Sequence, residues 1–310
     1  MTVLAQATRT RRHGWWWKAL LVGLGLWAAT IAVTAVTLNS NLVPTLILLG
    51  SFLVPFCVVL FAAERITGNV TGTEVMLAFV VGGLFGVLGA TLLEVNLRPT
   101  AWTYLGVGFI EEFVKAVILV AIGFRVVPKN ARQGALLGAT VGAGFAAFES
   151  AGYAFNASLT PGGIDLVSIL QTEVLRSILT PVGHVLWTAI VGAVLFGAAR
   201  EKSRYRMTFG VILALVGASL LHGLWDSMSG IASFLALLVT GNIDPLVRFG
   251  FLRPGSSEAV SALASTYYVV GLIIVSVIGM LALWLVVRRH RARGQGPADN
   301  QPDGSHSYAL

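Results

Sequence analysis

Charge is what this sequence has least of. Asp, Glu, Lys and Arg make up 11% of the 310 residues, against 56% hydrophobic residues, where a soluble domain would carry about 25% charge. The deficit excludes an ordinary water-soluble globule and places the chain among membrane proteins. Cysteine is nearly absent as well. One thiol, Cys57, sits in an apolar run, so an internal disulfide is impossible and a zinc centre built on several thiolates is excluded. There is no internal repeat and no stretch polar enough for a separate soluble domain. The basic, aromatic start from Met1 to Trp17 leads into a long apolar stretch with no A-x-A-like cleavage site after it. It reads as the lead into a retained helix rather than as a signal peptide.

What fills the chain instead is apolar runs. A membrane-crossing helix needs about 20 such residues. Eight segments qualify: 15–37, 41–63, 74–95, 102–124, 133–156, 178–199, 208–229 and 263–287. They are separated by turn and charge signals such as Asn39-Ser40-Asn41, Arg98-Pro99, Pro128-Lys129-Asn130 and Thr160-Pro161-Gly162-Gly163. The expected fold is all-α, a polytopic helical bundle with one transmembrane domain over 15–287. A basic cytoplasmic N-terminus (1–14) precedes it. A basic, disordered cytoplasmic tail (288–310) follows, carrying Arg288, Arg289, Arg291 and Arg293. A further apolar segment, 231–240, is too short to span and reads as a re-entrant or interfacial piece beside the outer mouth of a site.

Cytoplasmic loops collect Lys and Arg. With the N-terminus inside, 16 of the 21 basic residues fall on the inner side, three (Arg98, Arg248, Arg253) on the outer side, and two (Lys115, Arg176) in or near spans. That split favours an even number of spans with both termini inside. It also gives the net charge of +7 a topological reading: it faces the cytoplasm and anionic lipid, not nucleic acid.

A few residues do not belong in a bilayer. A charge at the centre of a spanning helix costs about 2.5–3.5 kcal/mol even on lenient scales, so ionisable groups there mark sites or pathways. Glu111, Glu112 and Lys115 lie in the fourth span, Glu149 in the fifth, His184 in the sixth with Arg176 upstream, and His222 and Asp226 in the seventh. Glu111 and Lys115 are four apart, Glu112 and Lys115 three apart, so both acids can meet the lysine. One lysine neutralises one carboxylate fully, which leaves the other for a proton or a metal. His222 and Asp226, also four apart, can present an imidazole and a carboxylate on one helix face. At 1.5 Å per residue, Glu111, Glu149, His184 and His222 all fall about 9–14 Å from the outer edges of their spans, which favours one shared site. Lys115 and Arg176 are read as ion-pair partners, Phe145, Phe148 and Trp225 as packing, and Glu173 as a solvated residue near the outer interface. The glycines from Gly138 to Gly144 are read as a close-packing helix surface.

These residues resemble the motifs of the PrsW family of membrane proteases, relatives of the type II CAAX prenyl endopeptidases. E-E-x-x-K matches Glu111, Glu112 and Lys115; F-x-x-x-E matches Phe145 and Glu149. A stretch with arginine, proline and histidine matches Arg176, Pro181 and His184; H-x-x-x-D matches His222 and Asp226. All four occur in order over roughly 102–229, each on its own span. The CAAX relatives carry His where this chain has Glu149.

The resemblance implies a multi-pass peptidase of a bacterial cell membrane that cuts a membrane-anchored protein on the extracytoplasmic side, as for an anti-sigma factor. In the expected mechanism Glu111 or Glu112 is the general base on a water. A divalent metal, zinc by preference, polarises that water and takes ligands from Glu149, His184, His222 and Asp226. Asp226 is alternatively an orienter of its histidine, and a metal-free glutamate mechanism stays open. Two other readings of the buried charges stay open too: a proton-coupled transporter, and a non-catalytic relative that binds peptide or lipid.

Overall fold

The computed structural model describes residues 14–65, 69–98, 100, 102–199 and 203–294. The described chain is a helical bundle. In order come α1 (Trp15–Thr37), α2 (Val43–Arg65), α3 (Gly72–Glu94), α4 (Thr103–Gly123), α5 (Ala131–Ser158), α6 (Leu166–Leu179), α7 (His184–Gly197), α8 (Phe209–Val239), the short α9 (Ile243–Phe249) and α10 (Ser257–Gly294). Between α5 and α6 sits a two-residue antiparallel hairpin of β1 (Leu159–Thr160) and β2 (Gly163–Ile164), at the Pro-Gly-Gly turn that the sequence marks. Seven helical stretches are long and apolar enough to cross a membrane. α4, at 21 residues, is long enough too but carries Glu111, Glu112 and Lys115.

The ends of these helices follow local chemistry. Thr71 and Glu74 close a reciprocal capping box at the start of α3, and Asn130 and Gln133 do the same for α5. Asp165 caps α6, accepting from the Val167 N–H at 2.9 Å and the Ser168 hydroxyl at 2.5 Å, and these bonds hold its carboxyl below the usual range. At the far end of α4 the buried Lys129 donates to the carbonyls of Phe124 and Val126, which the helix end leaves without partners.

Three expectations need correction. The segment 178–199 is not one helix: α6 and α7 are separated by a 3₁₀ turn, Thr180–Val182, and by Gly183 at φ −102°, ψ −123°. Pro181 has no N–H to donate and disfavours helix at the residue before it. The apolar stretch 231–240 is no separate re-entrant piece, because α8 runs on through Gly230 to Val239. A glycine inside a helix costs about 1 kcal/mol relative to alanine, too little to stop a strongly apolar helix. The helix ends instead at Thr240, with Gly241 at φ +65°. Finally, the last helix does not end at 287, because α10 runs on to Gly294; 1–13 and 295–310 lie outside the described residues.

The core is built on close backbone approach. α5 packs along α7 more extensively than any other pair, while α3 lies on α5 and α4 on α8. Gly134, Gly138 and Gly142 repeat every four residues along α5. A Cβ on them would sit 2.0 to 2.2 Å from the carbonyl oxygens of Gly192, Thr188 and His184 of α7. No side chain fits there, so this stripe sets the distance at which His184 stands beside α5.

Candidate active site

The same device brings α4 to α8. A Cβ on Gly108 would lie 2.6 Å from the Ser219 carbonyl oxygen, and one on Gly223 would lie 2.8 Å from Leu105 Cα. Gly108 is one turn before Glu111 and Gly223 is next to His222, so the notch that lets the helices touch also sets acid against imidazole. Glu111 is 6% exposed, His222 1%, Glu112 and Lys115 0%.

Lys115 is the hub. Its Nζ donates to Glu112 Oε1 at 2.7 Å and to Glu111 Oε2 at 3.2 Å, and lies 2.9 Å from His184 Nδ1. Across the bundle, His184 Nε2 meets Glu149 Oε2 at 2.9 Å. A lysine ammonium only donates, so Nδ1 accepts and Nε2 carries the proton given to Glu149. His184 is thus assigned as the neutral Nε2–H tautomer. Arg176 backs Glu149 with a short charge-assisted bond and donates from Nε to Ser150 Oγ at 2.7 Å. His222 stands between the acids: Nδ1 is 3.3 Å from Glu112 Oε1, and Nε2 is 3.6 Å from Glu111 Oε2 and 3.4 Å from Asp226 Oδ2. Trp187 stacks on its ring at 4.5 Å between centroids.

The two glutamates differ in kind. Glu112 points inward, held by Lys115 and by the Thr188 hydroxyl at 3.1 Å. Glu111, with Glu149 and Asp226, lines a cavity of about 490 Å³ whose wall also includes Tyr104, Phe145, Tyr153 and Glu94. All seven site residues named from the sequence therefore meet in one cluster, and Arg176 is an ion-pair partner as expected.

Three participants escaped sequence reasoning. Trp187 and Thr188 follow His184 by three and four residues, so helical spacing from the histidine would have found them. Glu94, at the last turn of α3, reads as an unremarkable span edge; only the tertiary structure shows the cavity it lines. Glu173, expected to be solvated, is 2% exposed. Its Oε2 accepts from Trp27 Nε1 at 2.8 Å, and its carboxyl fills the notch left by Gly50 of α2. One face of α6 packs against α1 and α2, which buries Ile169 and Glu173, while Val167, Leu175 and Ile178 on the other side are exposed.

The donors suit a metal ion. Glu111, His184 and His222 each offer one ligand atom, and these lie within 4.8 Å of one another. Both ring nitrogens of His222 are buried without a hydrogen bond of acceptable geometry, although carboxylates lie 3.3–3.6 Å away. Buried imidazole nitrogens without partners are costly unless something else takes them up. Ligation by His184 Nδ1 would require exchanging its contact with Lys115.

Carboxylates and imidazoles are thus gathered beside a cavity between helices, in an arrangement that could hold a metal ion and activate water. In comparison with known families, residues 71–249, more than half of the chain, match the PrsW family intramembrane metalloprotease. The chain belongs to that family and is a multi-pass membrane peptidase. No curated protein and no solved structure matches it.

Proposed function

We propose that this peptidase hydrolyses a peptide bond of a membrane-anchored protein on the extracytoplasmic side, with Glu111 as general base. One observation carries the assignment: of the paired glutamates, Glu111 faces the cavity while Glu112 is saturated by Lys115 and Thr188. Glu111 takes a proton from water as the oxygen attacks the scissile carbonyl, and that proton is the one the leaving nitrogen needs when the C–N bond breaks. Lys115 fixes Glu111 and offsets its charge. Glu149 and Asp226 orient His184 and His222 by accepting from, or facing, their ring nitrogens.

The divalent ion is best held by His184, His222 and a carboxylate, with zinc preferred by this N/O donor set. When bound it supplies Lewis-acid polarisation of water or carbonyl. The eight-span, N-in/C-in topology, with α4 as a span, rests on the distribution of Lys and Arg. It puts the α3–α4 end of the bundle outside, and the cavity lies at that end, between Glu94 and Tyr104, which supports extracytoplasmic cleavage. An anti-sigma-factor-like target in a bacterial membrane fits that side.

The test is cleavage of a membrane-anchored substrate by purified protein, alongside metal analysis of the parent and of Glu111→Gln. Cleavage by the parent, lost in a Glu111→Gln variant that keeps the parent's metal content, supports Glu111 as base. Loss of metal in that variant would make Glu111 a ligand instead. Reporter fusions near Gly162 that behave as cytoplasmic would overturn the side of cleavage.

A further inference from the structure

The cavity wall is unevenly partnered. Four acids line it: Glu94, Glu111, Glu149 and Asp226. Glu111 has Lys115, Glu149 has Arg176 and His184, and Asp226 has His222, each within 4.0 Å. Glu94 has no hydrogen bond or ion pair to its side chain among the described residues, and its Oε1 is buried without a partner. Arg98, one turn further along and past the helix end, makes no ion pair with it there. The rest of the lining is apolar or aromatic, with Thr91, Tyr104 and Tyr153, and holds no Lys or Arg. A partly buried carboxylate without a partner is costly, whereas a charge-assisted bond to a cation is among the stronger polar contacts. A bound cation is therefore what this wall is short of.

Resting on the peptidase reading above, we infer that Glu94 is a specificity residue that takes a lysine or arginine side chain of the substrate, close in sequence to the scissile bond. Glu94 closes α3 at the same end of the bundle where α4 begins, and Tyr104 in the first turn of α4 lines the cavity with it, so Glu94 stands at the edge of the cavity and Glu111 further in. A substrate segment in extended form, entering past Glu94, lies along this wall toward Glu111. The contact forms and breaks with binding and transfers no atoms.

The experiment uses the full chain in lipid nanodiscs with a membrane-anchored test substrate, once its cleavage point has been mapped. Single Lys, Gln or Glu residues are placed in turn within five positions of that point. The parent should cleave the Lys form faster than the Gln form at one position by about ten- to a hundred-fold in kcat/KM, the range expected of a charge-assisted bond. Glu94→Gln should erase that preference while the metal content stays as in the parent, and Glu94→Lys should turn the preference toward Glu. A parent without preference at any position, a preference that survives Glu94→Gln, or metal loss in Glu94→Gln overturns the inference. If the parent cleaves no substrate, the peptidase reading has failed separately. Fluorescence anisotropy of Lys- and Gln-bearing peptides then decides the role of Glu94: tighter binding of the Lys peptide to the parent, and equal binding to Glu94→Gln, upholds it, whereas unchanged discrimination refutes it.

Discussion

α1 and α5 are both helices long and apolar enough to span a bilayer, and they solve opposite problems. In the most apolar stretch of α1, 11% of residues are buried within the protein; in α5 the figure is 78%. α1 turns Leu21, Val22, Leu26, Val33 and Val36 outward, as a helix surrounded by lipid must. α5 turns glycine and alanine toward α7 and α3, and its polar residue Glu149 toward the cavity. Lipid tails are as apolar as leucine, so apolarity does not pull helices together in a bilayer. Small residues that allow close backbone contact do that, with polar groups joining across the gap. Of these two helices the less lipid-like is therefore the better packed, and it is the one that supplies Glu149 to the cavity.

That contrast can be broken at several points. The largest effect belongs to the site: Glu111→Gln should cut cleavage by about 10²–10⁴-fold, the usual loss of a general base, with expression and melting temperature at or above the parent's. Glu112→Gln should be milder in rate because its partners are Lys115 and Thr188 rather than the cavity. Equal cleavage by parent and Glu111→Gln in a membrane-anchored substrate assay would remove that glutamate from the mechanism.

Next in size is Lys115→Met. It leaves two buried carboxylates without their cation, and breaking a buried pair from one side costs about 3–5 kcal/mol. Lys18→Met in α1, a lysine near two tryptophan rings at 5.4 and 5.7 Å, should change thermal stability in detergent by less than about 1 kcal/mol. Similar shifts for the two variants would mean that the buried network contributes no more than a surface contact.

Arg176→Met should lower activity about 10–100-fold, the usual consequence of removing a group that orients a ligand or base through another residue. It should do so through loss of the Glu149–His184 arrangement and with folding retained, read by comparing activity with melting temperature. The sharpest comparison is a glycine pair. Gly142→Leu places a side chain where the His184 carbonyl lies 2.2 Å from a Cβ, whereas Gly25→Leu in α1 meets nothing within 4 Å. The first should destabilise by at least the 1–3 kcal/mol typical of overpacking; the second should be neutral. Equal melting temperatures for the two would refute the close-approach account of α5 and α7.

Most of the fold was legible in the order of residues. Segment 15–37 coincides with α1, and the edges of 41–63, 74–95, 102–124 and 133–156 fall within two residues of α2 to α5, because a bilayer fixes how long an apolar run must be. Glu111, Glu112, Lys115, Glu149, His184, His222 and Asp226 stood out because a charge in such a run is costly to insert and is kept where it does chemistry. What local sequence misjudged was continuity. It joined α6 to α7 across Pro181 and Gly183, and it separated 231–240 from α8 at a glycine too weak to stop the helix.

The sequence by itself determined that the chain is a helical membrane protein and that Glu111, Glu112, Lys115, Glu149, His184, His222 and Asp226 stand out from its apolar runs, since both follow from the cost of exposing charge or backbone to lipid. Only the tertiary structure decided which glutamate faces the cavity, that Glu173 is buried against Trp27, and that Glu94 stands on the cavity wall without a partner. Those are questions of which side of a helix meets which neighbour. They are answered by where glycines on different helices allow backbones to touch, and no spacing along one segment contains that information.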